Sequence, residues 1–178
     1  MNEEKEQITQ DQLYQFFTDH NLKLVRLAEL TGLSEASINV CFKHSPGTNG
    51  QPRVFTRRAV RKINAALEIM AQEIKSCRLD FESNKVKPNQ RGKVYAPGLL
   101  EPIKTKIGYY FNITKMVEGI LGWNYIKKHN VLDSNTGKAY GCITKDDADR
   151  LNLELMIVSN MLACCEVVAE QDRYHEPF

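Results

Sequence analysis

The second half of this 178-residue chain rewrites the first. The run "TGLSEASINVCF", ending at Phe42, aligns with "LGWNYIKKHNVL", ending at Leu132, and Gly32 falls opposite Gly122. A turn-rich stretch follows each run, "KHSPGTNGQPRVFT" in the first and "DSNTGKAYGCIT" in the second. Both copies then enter a long helical pattern in which Thr56 matches Thr144, Asn64 matches Asn152, Leu67 matches Leu155 and Cys77 matches Cys165. The offset is 90 residues before the turn-rich stretch and 88 after it, so the length difference falls in a loop, where it is tolerated. Such self-similarity predicts two like bodies rather than one continuous fold. They divide as residues 1–82, a basic linker over 83–98 ("SNKVKPNQRGKVYAPG") and residues 99–178.

The periodicity inside each copy predicts a mainly α fold. Thr9 with Gln12 has the spacing of a capping box opening "DQLYQFFTDH". Residues 23–31 form a second short helix, and Ser34 is placed to N-cap a third over 34–43. Val60, Ile63, Leu67, Met70 and Ile74 recur at helical spacing in the long helix of the first copy. Ala148, Leu151, Leu155, Val158 and Leu162 do so in the second, behind Thr144 and Asp147 as a second capping box. In the second copy "LLEPIKTKIGYYF" stands where the first has its opening helix.

Residues 27–42, "LAELTGLSEASINVCF", carry the most specific local pattern. Two short helices crossing steeply need a small residue where they approach, which Ala28 supplies. They need a turn residue free to adopt a left-handed conformation, which Gly32 supplies. They need a branched apolar residue to anchor the second helix, which Ile38 supplies. Leu27, Leu30 and Leu33 fill around them, and one face of residues 34–43 is left to project.

This segment, with "FTRRAVRKINAAL" behind it, resembles the headpiece of lactose-repressor-type regulators and the wider lambda-repressor-like helix-turn-helix group over about residues 22–72. The resemblance implies that Ser34, Glu35 and Ala36 reach base edges in the major groove, with Asn39 one helical turn on. Asparagine bonds adenine bidentately, and glutamate accepts from cytosine N4. Lys43 and His44 would meet phosphate, as would Lys23 and Arg26 beside the first helix of the pair. Arg57 and Arg58, in the first turn of the long helix, are placed to clamp a phosphate. The loop "HSPGTNGQPRV" departs from the family pattern in its length and its two turn signals. It reads as a small wing or as an arm, and the role of Arg53 is open between the two.

The second copy is degenerate. Glu118 stands where Ala28 does, Lys128 where Ile38 does, and Asp146, Asp147 and Asp149 open its long helix. Lys127 and Lys128 are weaker candidates for DNA contact. Trp123, Tyr125, Tyr109, Tyr110 and Phe111 suit packing against protein. The second half is therefore read two ways: as a weak DNA contact, or as a homodimer or partner module. Charge follows the same division. Residues 21–78 hold ten Lys/Arg against four Asp/Glu, a balance of +6, and residues 107–178 hold seven against ten, a balance of −3. A basic half implies an anionic partner.

The remaining features exclude more than they assign. His20, His44, His129 and His175 are scattered, without metal-ligand spacing. There is no phosphate-binding glycine loop, so no enzyme, cofactor or metal is expected. No apolar run approaches the roughly 20 residues of a membrane span, and the polar start "MNEEKEQITQ" is unlike a secretion signal. Five cysteines without a CxxC spacing fit reduced thiols in a cytoplasm. The expected function is sequence-specific binding of double-stranded DNA by a small transcriptional regulator of phage or mobile-element type, with two tandem helix-turn-helix-like subdomains. The alternative is a helical interaction or structural protein that keeps this shape without DNA.

Overall fold

A computed structural model describes residues 4–47, 49–88, 90–97, 107–122 and 142–170. The protein is mainly helical. Its backbone packs as two compact units, one made of Met1–Glu73 with Ser159–Phe178, the other of Ile74–Val158.

The first unit opens with strand β1 (Glu6–Ile8), which pairs in parallel with β4 (Cys165–Val167) in the register Glu6↔Cys165, Gln7↔Glu166, Ile8↔Val167. Helix α1 (Gln10–Asp19) follows at once. Thr9 accepts from the Gln12 N–H while the Gln12 side chain accepts from the Thr9 N–H, which completes the expected capping box. Leu13 and Phe17 are its buried face. Helix α2 (Val25–Thr31) ends at Gly32, whose φ of 72° is left-handed. A side chain there would crowd the backbone, and glycine escapes that penalty. Ser34 Oγ accepts from the Ser37 N–H and starts helix α3 (Glu35–Phe42), which packs on both α1 and α2. Ile38 and Phe42 are buried, and the Phe42 ring meets Tyr14, Phe17 and Phe55.

Helix α4 (Arg57–Lys75) buries Val60, Ile63, Leu67, Met70 and Ile74, the stripe its periodicity predicts. In the first unit its Asn64 amide grips one residue of the C-terminal segment on both sides. Nδ2 donates to the Val167 carbonyl at 3.0 Å, and Oδ1 accepts from the Val167 N–H at 2.7 Å. Ser159 Oγ donates to the Ala71 carbonyl at 2.8 Å, also buried.

The second unit contains the end of α4, buried Cys77 and Leu79, and a single-turn helix α5 (Phe81–Asn84) capped by Asp80. Strands β2 (Ala96–Pro97) and β3 (Cys142–Ile143) pair antiparallel. A helical turn at residues 107–110 leads through the cap residue Asn112 into helix α6 (Ile113–Leu121), which ends at Gly122 with φ 85°. Helix α7 (Lys145–Cys164) begins in this unit with Thr144 and Asp147 bonded reciprocally, the second expected capping box. Its buried positions include Ala148, Leu151, Leu155 and Val158. Asn152 grips Leu79 as Asn64 grips Val167. Its Nδ2 donates to the Leu79 carbonyl at 2.9 Å and its Oδ1 accepts from the Leu79 N–H at 2.7 Å. Trp123, Tyr125 and the whole run 123–141 lie outside the described residues. No described helix is long and apolar enough to cross a membrane.

Candidate nucleic-acid interface

The first turn of α3 forms the projecting surface. Ile38 and Phe42 fix the helix to the core, which sets the rotation of everything else on it. Ser34, Glu35, Ala36 and Ser37 are exposed, and Asn39 is half-buried. Ser34 Oγ is already committed twice, accepting from the Ser37 N–H at 3.0 Å and donating to Ser37 Oγ at 2.8 Å. Ser37 belongs to this exposed turn and was not among the sequence-derived candidates. Its spacing of three from Ser34 places the two hydroxyls on one face.

The flanking charges are disposed differently. Lys43 is exposed at the C-cap of α3 and Lys23 is exposed ahead of α2. Arg26 is drawn inward to a carboxylate fork: Nη2 lies 2.6 Å from Glu73 Oε1, Nε lies 3.0 Å from Glu73 Oε2, and Nη1 lies 3.1 Å from Glu29 Oε2. A planar guanidinium held by two parallel bonds is a strong, oriented pair. His44 takes a left-handed φ of 49°, and its Nε2 sits 2.6 Å from Asp11 Oδ1. Both residues thus tie helices together within the unit.

The long loop folds back on itself. Gly47 N–H donates to the Gln51 carbonyl at 2.9 Å and Arg53 N–H to the Ser45 carbonyl at 3.1 Å, with Pro46 and Pro52 bridged between them. Arg53 stands exposed at its base. Its charge partly offsets the burial that raises the Cys41 thiol above its ordinary range. Arg57 and Arg58 are exposed on the first turn of α4, behind Thr56, whose hydroxyl accepts from the Ala59 N–H. Arg57 and Arg61 line an open cavity of about 370 Å³ with Gln7, Asn64 and Val168. Lys127 and Lys128 lie outside the described residues.

One buried polar residue ties the end of α3 to the segment before α4. Gln10 is 1% exposed. Its Nε2 donates to the Cys41 carbonyl at 2.8 Å, and its Oε1 accepts from the Phe55 N–H at 3.2 Å. It therefore joins the end of α3 to the segment entering α4. The sequence signal was present but ambiguous: positions 10, 13 and 17 form one helical stripe, and only the first is polar.

Among the described residues no cluster of His, Cys, Asp or Glu is placed to hold a metal ion. No protein-family model, no curated protein and no solved structure matches this chain.

Proposed function

We propose that this protein binds double-stranded DNA and reads sequence through the exposed turn of α3. The observation that carries this is the pairing of α2 and α3 about Gly32. A left-handed glycine, a serine cap and a buried Ile38 leave Glu35 and Ala36 exposed on the first turn, with Asn39 half-buried one turn on. A major groove about 12 Å wide admits one helix, and side chains at its N-terminal turn meet base edges. Lys43, Lys23, Arg53, Arg57 and Arg58 supply the cationic surroundings that phosphates require. In this reading Arg26 and His44 act chiefly by holding the helices in place. Regulation of transcription is the role proposed for such a reader.

The second copy is proposed to be a degenerate version of the same helix pair. Its α6 ends at Gly122 as α2 ends at Gly32, each glycine N–H donating to the carbonyl four residues back. A protein-partner role for that half has its own support, since Leu153, Met156 and Ile157 are exposed on α7.

Selection of bound sites from random duplex DNA tests the proposal. It predicts enrichment of a defined site, and it predicts that Asn39→Ala changes which bases are enriched. Absence of enrichment, together with binding that ignores salt, would refute it.

A further inference from the structure

The two asparagine clasps obey the repeat. Asn152 stands 88 residues after Asn64, and Val167 stands 88 residues after Leu79. Each amide grips the N–H and the carbonyl of a single buried residue, with Leu79 3% and Val167 2% exposed. The pairing, however, is crossed. A repeat that closed on its own tail would join Asn64 to Leu79 and Asn152 to Val167. Instead Asn64 bonds a residue 103 positions away and Asn152 one 73 positions away. Ser159 and Ala71 are also 88 apart, so the bond between them joins equivalent positions of the two copies. A contact between equivalent positions is the mark of an isologous pairing.

The compact units follow the same crossing. The first unit holds the body of the first copy and the tail of the second, and the second unit holds the reverse.

We propose that the chain is a covalently joined pair of repeats that complete one another by exchanging tails. The surface around Asn64 is a binding site for the segment beginning at Cys165, and the surface around Asn152 is one for the segment beginning at Cys77. The partner that fits either surface is a copy of this chain's own repeat. A side-chain amide that satisfies both backbone groups of one residue selects an exposed peptide edge. The buried Leu79 or Val167 side chain then fixes which residue occupies it. Exchange of an identical element between copies is a low-cost route to a dimer, and a linker that fuses the two copies makes it permanent.

Two measurements on the full chain test this. Hydrogen exchange is recorded for Asn64→Leu and Asn152→Leu. Loss of one hydrogen bond should accelerate exchange about two- to tenfold at the clasped amide. Asn64→Leu should act at Val167 and spare Leu79, and Asn152→Leu should do the opposite. Asn64→Ala and Asn152→Ala, which remove the same bonds without adding bulk, serve where the leucine variants fold poorly. Acceleration at the tail of the same copy, or at neither tail, overturns the proposal. In the second measurement a protease site is inserted at the exposed residues 90–92 and the folded chain is cleaved. The halves should co-elute as a one-to-one complex on size exclusion. Halves that separate while still folded have closed on their own tails, which also overturns it.

Discussion

Replacing Gln10 with methionine removes the hydrogen bonds to Cys41 and Phe55, and a longer 3.4 Å contact to His44 Nε2, while keeping side-chain length. The Phe55 N–H then loses its acceptor in a buried setting. Leaving such a donor unsatisfied costs about 1–3 kcal/mol. The Cys41 carbonyl loses less, because it still accepts from the His44 N–H at 3.1 Å, and that loss is about 1 kcal/mol. Together these give a destabilisation of about 2–4 kcal/mol, a large part of the roughly 5–15 kcal/mol that holds a domain folded. The comparison variant is Gln12→Ala, which removes only the exposed half of the α1 capping box and should cost about 0.5–1 kcal/mol. Guanidinium denaturation followed by circular dichroism measures both, with an unchanged slope showing that only stability moved. If Gln10→Met lowers the midpoint no more than Gln12→Ala does, the buried bridge between α3 and α4 is not a structural tie, and the reasoning fails.

Gly32→Ala forces a Cβ into a left-handed conformation and should cost about 1–2 kcal/mol in the same denaturation assay; an unchanged midpoint would show that the turn relaxes freely. Ile38→Ala empties a position of 0% exposure and should cost about 2–5 kcal/mol, read as a drop in melting temperature. Asn39→Ala should cost about 1–3 kcal/mol of DNA affinity at the preferred base, while Arg58→Ala should weaken all duplexes alike and flatten the salt slope by about one; titrations at several salt concentrations separate the two. Burial pushes the Cys165 thiol from 9.0 up to about 11. A raised pKa keeps it protonated, so iodoacetamide should modify it about a hundredfold more slowly at pH 8 than a thiol of ordinary pKa, and the rate should climb as pH rises toward 11.

Much of the local structure was legible because its causes are local. Thr9 and Gln12, Ser34, and Thr144 with Asp147 each specify a helix start through bonds spanning three residues. The stripes from Val60 to Ile74 and from Ala148 to Leu162 specify a buried face by spacing alone. The roles of Arg26 and His44 were not legible, because their partners Glu73 and Asp11 are 47 and 33 residues away. Gln10 was missed for the same reason, and because a polar residue on an apolar stripe reads as a helix end as readily as a buried bridge. The matched asparagines were visible as identities between the copies. What they hold was not, since nothing in the spacing of Asn64 distinguishes Leu79 from Val167.

The pairing of β1 with β4 also sets an order of events during synthesis. Glu6 leaves the ribosome 159 residues before its partner Cys165, which at roughly 5–20 residues per second is a wait of about 8–30 s. The unit formed by Ile74–Val158 is continuous in sequence and has all its parts first. The segment made earliest is therefore completed last, and through that interval β1 and the Asn64 amide remain without their partner strand. An unpaired edge held open this long is what a chaperone captures. Slowing translation after residue 158 should lengthen the lifetime of that state without changing the final fold.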